Sequence, residues 1–329
     1  MPPLIIGVIV LALLFGFLNG MHDSRNIVST MISSRAYSPR VALGVTALAE
    51  FTGPFIFGVA VAQTIGRGIV DTRAVSPEVL IVALGSAILW NLVTWFMKIP
   101  SSSSHALIGG MLGAVSMRAG AQAVNVDGLF KILISLFASP IIGFVFGFFV
   151  LRLIIVLSWK ATPRINEFFK KSQLLTALVL GLSHGSNDGQ KTMGIITLAL
   201  VTGGLISSFL VPFWVVLICA LSLSLGTTIG GWILIHKVGA PFYKIRPLDG
   251  FATQLTSSLI IIGASLFGGP VSATQVINSA IMGIGTAERA NKVRWGLVRE
   301  IVVGWVLTIP AASLVAAGLY MLWVRIGSW

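Results

Sequence analysis

The chain has 329 residues, of which 56% are hydrophobic and 10% charged, with a formal net charge of +12 and a mean hydropathy of +0.96. An apolar run of about 20 residues spans a bilayer, and this chain has room for many, which excludes a soluble globular domain. A basic excess would suit nucleic acid, but here the basic residues sit in short loops between apolar spans, where they set orientation instead; no nucleic acid partner is expected.

In chain order, apolar segments fall near 3–34, 41–65, 77–97, 100–117, 129–157, 173–202, 206–236, 251–268, 270–286 and 301–325. Residues 1–17 carry no basic residue, so they suit the start of a span better than a signal peptide. The segments 3–34 and 173–202 each hold a polar block, Gly20-Met21-His22-Asp23-Ser24-Arg25-Asn26 and Gly185-Ser186-Asn187-Asp188-Gly189-Gln190-Lys191. A straight helix of about 30 residues overshoots a ~30 Å hydrocarbon layer, so a break or re-entrant turn is expected at each block. The segments 100–117 and 270–286 are short and open with Pro and Ser, as half-helices or re-entrant elements do. The only cysteine, Cys219, lies mid-span and excludes an intrachain disulfide.

The two halves correspond. Asp23 and Asp188 are 165 residues apart, and Pro100 and Pro270 are 170 apart. Paired interrupted segments of this kind point to an internal-repeat transporter. Fourteen basic residues (Arg35, Arg40, Lys98, Lys160, Arg164, Lys170, Lys171, Lys237, Lys244, Arg246, Arg289, Lys292, Arg294 and Arg299) lie in one set of loops. The other set and the C-terminus hold four, Arg67, Arg73, Arg118 and Arg325. The positive-inside bias puts the first set in the cytoplasm and both termini outside. Each half then crosses an odd number of times, so the second enters from the opposite face. The expected fold is an all-α polytopic membrane protein of two inverted-topology repeats with broken or re-entrant helices and about 10–12 membrane segments. Residues 1–157 form the first repeat, 158–172 a cytoplasmic linker, and 173–329 the second repeat. The expected location is the plasma (inner) membrane.

A charge inside a span costs roughly 2.5 kcal/mol or more on insertion scales, so Asp23 and Asp188 are functional candidates. A carboxylate, an amide and a freed carbonyl make a hard oxygen site suited to Na⁺ or a proton. A half-helix N-terminus with hydroxyl and amide donors makes an anion site.

The stretch from His184 to Leu198 and the stretch from Pro100 to Gly113 closely resemble the inorganic phosphate transporter family of permeases and sodium–phosphate symporters. Pro100-Ser101-Ser102-Ser103-Ser104-His105-Ala106-Leu107-Ile108-Gly109-Gly110 and Asn187-Asp188-Gly189-Gln190-Lys191-Thr192-Met193-Gly194 carry the likeness. Both halves, essentially the whole chain, are covered. Three positions depart from the family pattern: His22 stands for an amide, Arg25 for a small residue and Gln275 for a histidine. The resemblance implies a symporter of inorganic phosphate coupled to Na⁺ or H⁺, with no cofactor and no enzymatic activity. Asp23, Asn26, Asn187 and Asp188 would line the central anion and cation sites. Ser101, Ser102, Ser103, Ser104, Ser272 and Thr274 would offer hydroxyls, with Gln190, Lys191 and Thr192 beside the phosphate. Glu50 joins Asp23, Asn26, Asn187 and Asp188 as a candidate for the Na⁺ or proton site.

His22, Arg25, His105, His184, Thr227 and Thr228 are further candidates, each with a structural alternative. Buried charges are usually paired, so Asp23 and Asp188 are expected to meet Arg25 and Lys191. The stripes Gly109/Gly113, Gly143/Gly147 and Gly226/Gly230 suit close helix packing, within the chain or in a homodimer. Trp90, Trp95, Trp159, Trp323 and Trp329 suit the interfacial belts of the lipid bilayer. Sulfate or another tetrahedral oxyanion is the near rival as substrate, and a passive channel is a further reading. A remote one is an intramembrane hydrolase built on Ser104, His105 and Asp188, although adjacent residues on a helix do not face each other.

Overall fold

Proline sets four of the helix starts. Pro3 opens α1 (Pro3–Ser33), Pro39 opens α2 (Pro39–Phe57), Pro77 opens α4 (Pro77–Phe96) and Pro247 opens α9 (Pro247–Leu266). At that position the missing N–H costs nothing. Between α2 and α4 lies α3 (Ala60–Gly68), separated from α2 by Gly58 at φ 78°, so the apolar run 41–65 is two helices rather than one. The rest are α5 (Ser103–Ala119), α6 (Val126–Leu157), α7 (Ile165–Thr202), α8 (Phe213–Ile235), α10 (Ala273–Glu288) and α11 (Trp295–Gly327). This computed structural model describes residues 1–97, 99, 101–235 and 245–327, with the side chains of 232–235 and Lys292 left aside. Lys98, Pro100, Lys237, Lys244 and Trp329 lie outside the described residues.

Among the described residues six helices, α1, α2, α4, α6, α8 and α11, are long and apolar enough to cross a bilayer. The chain is a multi-pass integral membrane protein. Helix α7 is not among the six because it is polar, yet residues 183–200 are all buried in protein. Its polar residues therefore meet neighbouring helices and not lipid.

The expected breaks at the two polar blocks are absent. Helix α1 runs unbroken for 31 residues and α7 for 38. Neither contains an internal proline, and side chains and backbone of neighbouring elements meet Asp23, Asn187, Asp188, Gln190 and Lys191, so the backbone need not open. The interruptions fall instead before α5 and α10. Helices α4 and α5 form a hairpin whose base is joined by Arg118–Glu78 at 3.6 Å and by the Asp71 N–H to the Ala123 carbonyl at 2.9 Å. Helices α9 and α10 form a second, joined at its base by Arg246–Glu288 at 2.7 Å. The first base lies where the 32-residue α6 begins. The second lies beside the start of α7, where Gln173 Nε2 donates to the Pro247 carbonyl at 2.9 Å, just past the end of α6. The hairpins thus enter from opposite ends, about 48 Å apart along α6, and their tips meet inside. There Ser102 Oγ donates to Ser272 Oγ at 2.9 Å.

Packing crosses between the halves. Helix α1 lies along α8, α2 along α7, α5 along α11 and α6 along α10. Glycines allow the approach. A Cβ on Gly113 would strike the Ser313 carbonyl, one on Gly226 the Phe17 carbonyl, and one on Gly185 the Glu50 carbonyl. The three small-residue stripes are therefore used inside the chain, against α11, α10 and α1, and not on a face free for a homodimer. Residues 165–172 of the expected linker belong to α7, which leaves 158–164 as the connection.

Gly185→Leu forces backbone against backbone at the α7–α2 contact. Thermal unfolding of the purified protein in detergent should show a loss of about 1–3 kcal/mol or more, while Gly44→Leu, where a Cβ meets nothing within 4 Å, should unfold like the parent.

Candidate functional site

Where the hairpin tips meet, α1, α2 and α7 bring five ionisable side chains together. Lys191 Nζ donates to Asp188 Oδ1 at 2.5 Å, Ser104 Oγ at 2.6 Å and the Val271 carbonyl at 2.6 Å. An ammonium has three N–H bonds, and all three are engaged. His184 stands among three carboxyls: Nδ1 is 2.8 Å from Glu50 Oε1, and Nε2 is 3.4 Å from Asp23 Oδ2 and 3.5 Å from Asp188 Oδ2. All five groups are buried, with Asp23 the most accessible at 6%. Three carboxyls face one lysine and one imidazole, so the cluster carries an excess of negative charge unless a cation or proton joins it. Asp23, His184 and Asp188 each offer a ligand atom, all within 4.8 Å of one another. Glu50 Oε2 and Asp188 Oδ2 are buried without a hydrogen bond among the described residues. Such oxygen-rich, unsatisfied surroundings suit a hard cation.

The hairpin tips supply the hydroxyls. Ser102 and Ser272 cap α5 and α10, each accepting a backbone N–H at 3.4 Å, from His105 and Gln275 respectively. Both helix N-termini, with their partial positive charge, therefore point into the same region. Ser103 Oγ donates to Asn19 Oδ1 at 2.5 Å, and Asn19 Nδ2 donates to Asp188 Oδ1 at 3.3 Å. Thr274 Oγ1 donates to Asp23 Oδ1 and accepts from Asn26 Nδ2 at 3.2 Å. Ser101 Oγ pairs with Thr94 Oγ1 at 2.7 Å.

Several sequence candidates fall elsewhere. Gln190 does not face the tips: its Oε1 accepts the Val61 and Ala62 N–H groups at 2.8 and 3.2 Å and so caps α3. Its position two residues from Asp188 turns it about 200° round the helix. Thr192 is buried against Gly16 of α1 and its hydroxyl is unpaired. Asn187 holds the chain just before α10, donating to Ser265 Oγ at 2.9 Å and the Gly269 carbonyl at 3.2 Å and accepting from the Val271 N–H at 3.1 Å. Thr227 donates to the Gly20 carbonyl at 3.2 Å, and Thr228 to the Ser224 carbonyl of its own helix. His105 meets Gln275 at 3.4 Å and packs edge-on against Phe137. Arg25 does not pair with Asp23; it is exposed, and His184 takes that place. His22 meets Trp95 edge to face, with ring centres 4.2 Å apart. Ser104 donates to the Val271 carbonyl at 3.3 Å and accepts from Lys191, so no imidazole activates it.

Asn19 went unrecognised. Its signal was present: it lies 165 residues before His184, the same offset that relates Asp23 to Asp188. The Val271 carbonyl, as a backbone group, left no mark in the sequence.

Comparison with known proteins places this geometry. The phosphate transporter family matches residues 19–316. A probable low-affinity inorganic phosphate transporter of Rhizobium meliloti (strain 1021) is 43% identical, over 97% of this chain and 96% of its own. One of Bacillus subtilis (strain 168) is 43% identical over 96% of each chain. One of Mycobacterium tuberculosis (strain ATCC 25618 / H37Rv) is 38% identical over 99% of this chain and 79% of its own. A solved structure, the sodium-dependent phosphate transporter, superposes with a TM-score of 0.89 at 23% identity, covering 98% of this chain and 99% of that one, and so shares the fold. The family and these relatives are transporters, not enzymes.

Removing one partner of a buried ion pair strands the other, at about 3–5 kcal/mol. Lys191→Met should lower unfolding stability by that order, and adding Asp188→Asn should restore much of it. A loss in the double variant equal to the sum of the losses in Lys191→Met and Asp188→Asn alone, measured by thermal unfolding, would show that the pair is not coupled.

Proposed function

The chain belongs to the phosphate transporter family, and on that premise we propose that it is a secondary transporter of inorganic phosphate. The observation that carries the reading is the convergence of two helix N-termini, at Ser102 and Ser272, beside a buried cluster with more carboxyls than cations. The N-termini and their hydroxyls suit an oxyanion. Asp23, Asp188 and Glu50, with Asn26 beside them, suit the coupling ion, Na⁺ or H⁺, which also offsets the charge of the anion. Asn187 and Lys191 fix the geometry of that site.

The substrate preference follows from hydrogen bonding. Phosphate at neutral pH keeps a proton to donate to a carboxylate such as Asp23, whereas sulfate has none. A site lined by carboxylates therefore favours phosphate over sulfate.

Transport would proceed by alternating access. The reading divides the chain into inverted repeats, 1–157 and 173–329, joined through 158–172. Contacts that recur at a fixed offset support it: Gly53 faces Leu182 and Ser186, while Gly226 faces Phe17 and Met21, the same two positions 165 residues earlier. The hairpins entering from opposite ends support it too. The basic loops set the ends of α1 and α6 in the cytoplasm and both termini outside the plasma membrane. Sodium is favoured by the name of the structural relative, and the oxygen-rich cluster suits it equally.

Labelled phosphate uptake into proteoliposomes, with a sodium gradient and a pH gradient imposed separately, tests the proposal. Uptake should follow one gradient, and excess arsenate should compete far better than sulfate. Asp23→Asn and Asp188→Asn should each reduce driven uptake on the order of ten- to a hundredfold. Equilibration indifferent to both gradients would mean a passive channel instead.

A further inference from the structure

The two polar helices differ in how far their polar residues are closed off. On α1, Asn19, His22, Asn26, Ser29 and Ser33 form a polar stripe at helical spacing from the site to the helix end, with Arg25 on its edge. All but Asn19 are partly or fully exposed. On α7, the positions 165 residues on from His22, Arg25, Asn26 and Ser29 are Asn187, Gln190, Lys191 and Gly194, and all four are buried. The seam between α7 and α9 is stapled by Asn187 to Ser265 and Gly269. Across the matching seam between α1 and α4, the described residues show no such hydrogen bond; there His22 meets Trp95 edge to face, and Trp95 lies 170 residues before Ser265. Among the described residues, His22 Nε2 has no hydrogen bond, and Asn91, one turn before Trp95, is buried with both amide atoms unpaired. The site is thus sealed towards the end of α7 and looser towards the end of α1.

Arg25 lies on the edge of the stripe, in the second half of α1, exposed and with no ion pair among the described residues. A guanidinium facing hydrocarbon at that depth is costly, while one facing water in an open seam is not. Helix geometry puts Arg25 about 60° round from His22 and one turn before Ser29, at a rise of about 3 Å beyond Asp23.

We propose that Arg25, with His22, forms an outer oxyanion subsite on the path between the central site and the water at the α1 C-terminal end. It collects the anion before the anion reaches the hydroxyls of the hairpin tips, and hands it back on release. Arginine suits this work because its planar fork grips an oxyanion through two N–H bonds and stays charged. A residue of this kind acts on encounter and release, so its effect falls on kcat/KM and depends on ionic strength. The inference rests on the transport reading above and deepens it.

The chain's single cysteine, Cys219, is buried, so Cys219→Ala gives a background for thiol chemistry. Phosphate uptake by that background alone tests the transport reading, with sulfate as a parallel substrate. Arg25→Cys in the same background tests the subsite. Its kcat/KM for phosphate should fall about tenfold, chiefly through KM, and lose most of its salt dependence. Aminoethyl methanethiosulfonate, which restores a cation, should recover it, and the sulfonatoethyl reagent should not. Unfolding temperature should stay at the background value. An unchanged kcat/KM and salt slope, or recovery by both reagents alike, would overturn the subsite while leaving phosphate transport intact.

Discussion

Burying Lys191 beside Asp188, with His184, Glu50 and Asp23 against them, is the constraint the rest of the structure answers to. Each ion taken from water costs several kcal/mol after relaxation, recovered only if geometry and further hydrogen bonds are good. Those bonds come from both halves of the chain: α1 supplies Asp23, α2 Glu50, α7 His184 and Lys191, the α4–α5 hairpin Ser104, and the chain before α10 the Val271 carbonyl. No half satisfies the cluster alone. The charges that make the site useful therefore also require both halves to assemble around it.

The backbone follows from the same demand. A hairpin tip carries unpaired N–H and C=O groups, and in hydrocarbon each would cost several kcal/mol. The tips at Ser102 and Ser272 avoid that by meeting each other and by being enclosed by α1 and α7. Enclosure requires long helices to approach closely, which the glycines at 113, 185 and 226 permit. Charge burial, hairpin tips and small-residue seams are one solution, not three separate features.

Much of this was legible in the sequence. Two polar blocks at a constant offset located Asp23, Asp188, Asn187 and Lys191, and serines after Pro100 and Pro270 located both hairpin tips. The reading failed where it inferred backbone shape from polarity. A polar block in an apolar run looks like a break, but α1 and α7 stay helical because their partners lie on other elements. The direction of individual side chains was also out of reach. Gln190 belongs to the same motif as Lys191, yet it caps α3, a helix whose separate existence depends on the turn at Gly58. Asn19 was missed because it lies just outside the block that drew attention, although the repeat offset pairs it with His184.

Lys191 has spent every N–H it has on protein acceptors. It balances a charge already present and offers nothing to a newcomer. An oxyanion arriving unaccompanied at the hairpin tips would find helix dipoles and hydroxyls, but also a surplus of carboxyls repelling it. Only with a companion cation, or a proton taken up by the cluster, does that repulsion vanish. On the transport reading proposed above, the lysine's saturation would guard against slippage: the anion would have a foothold only with its driving ion already aboard.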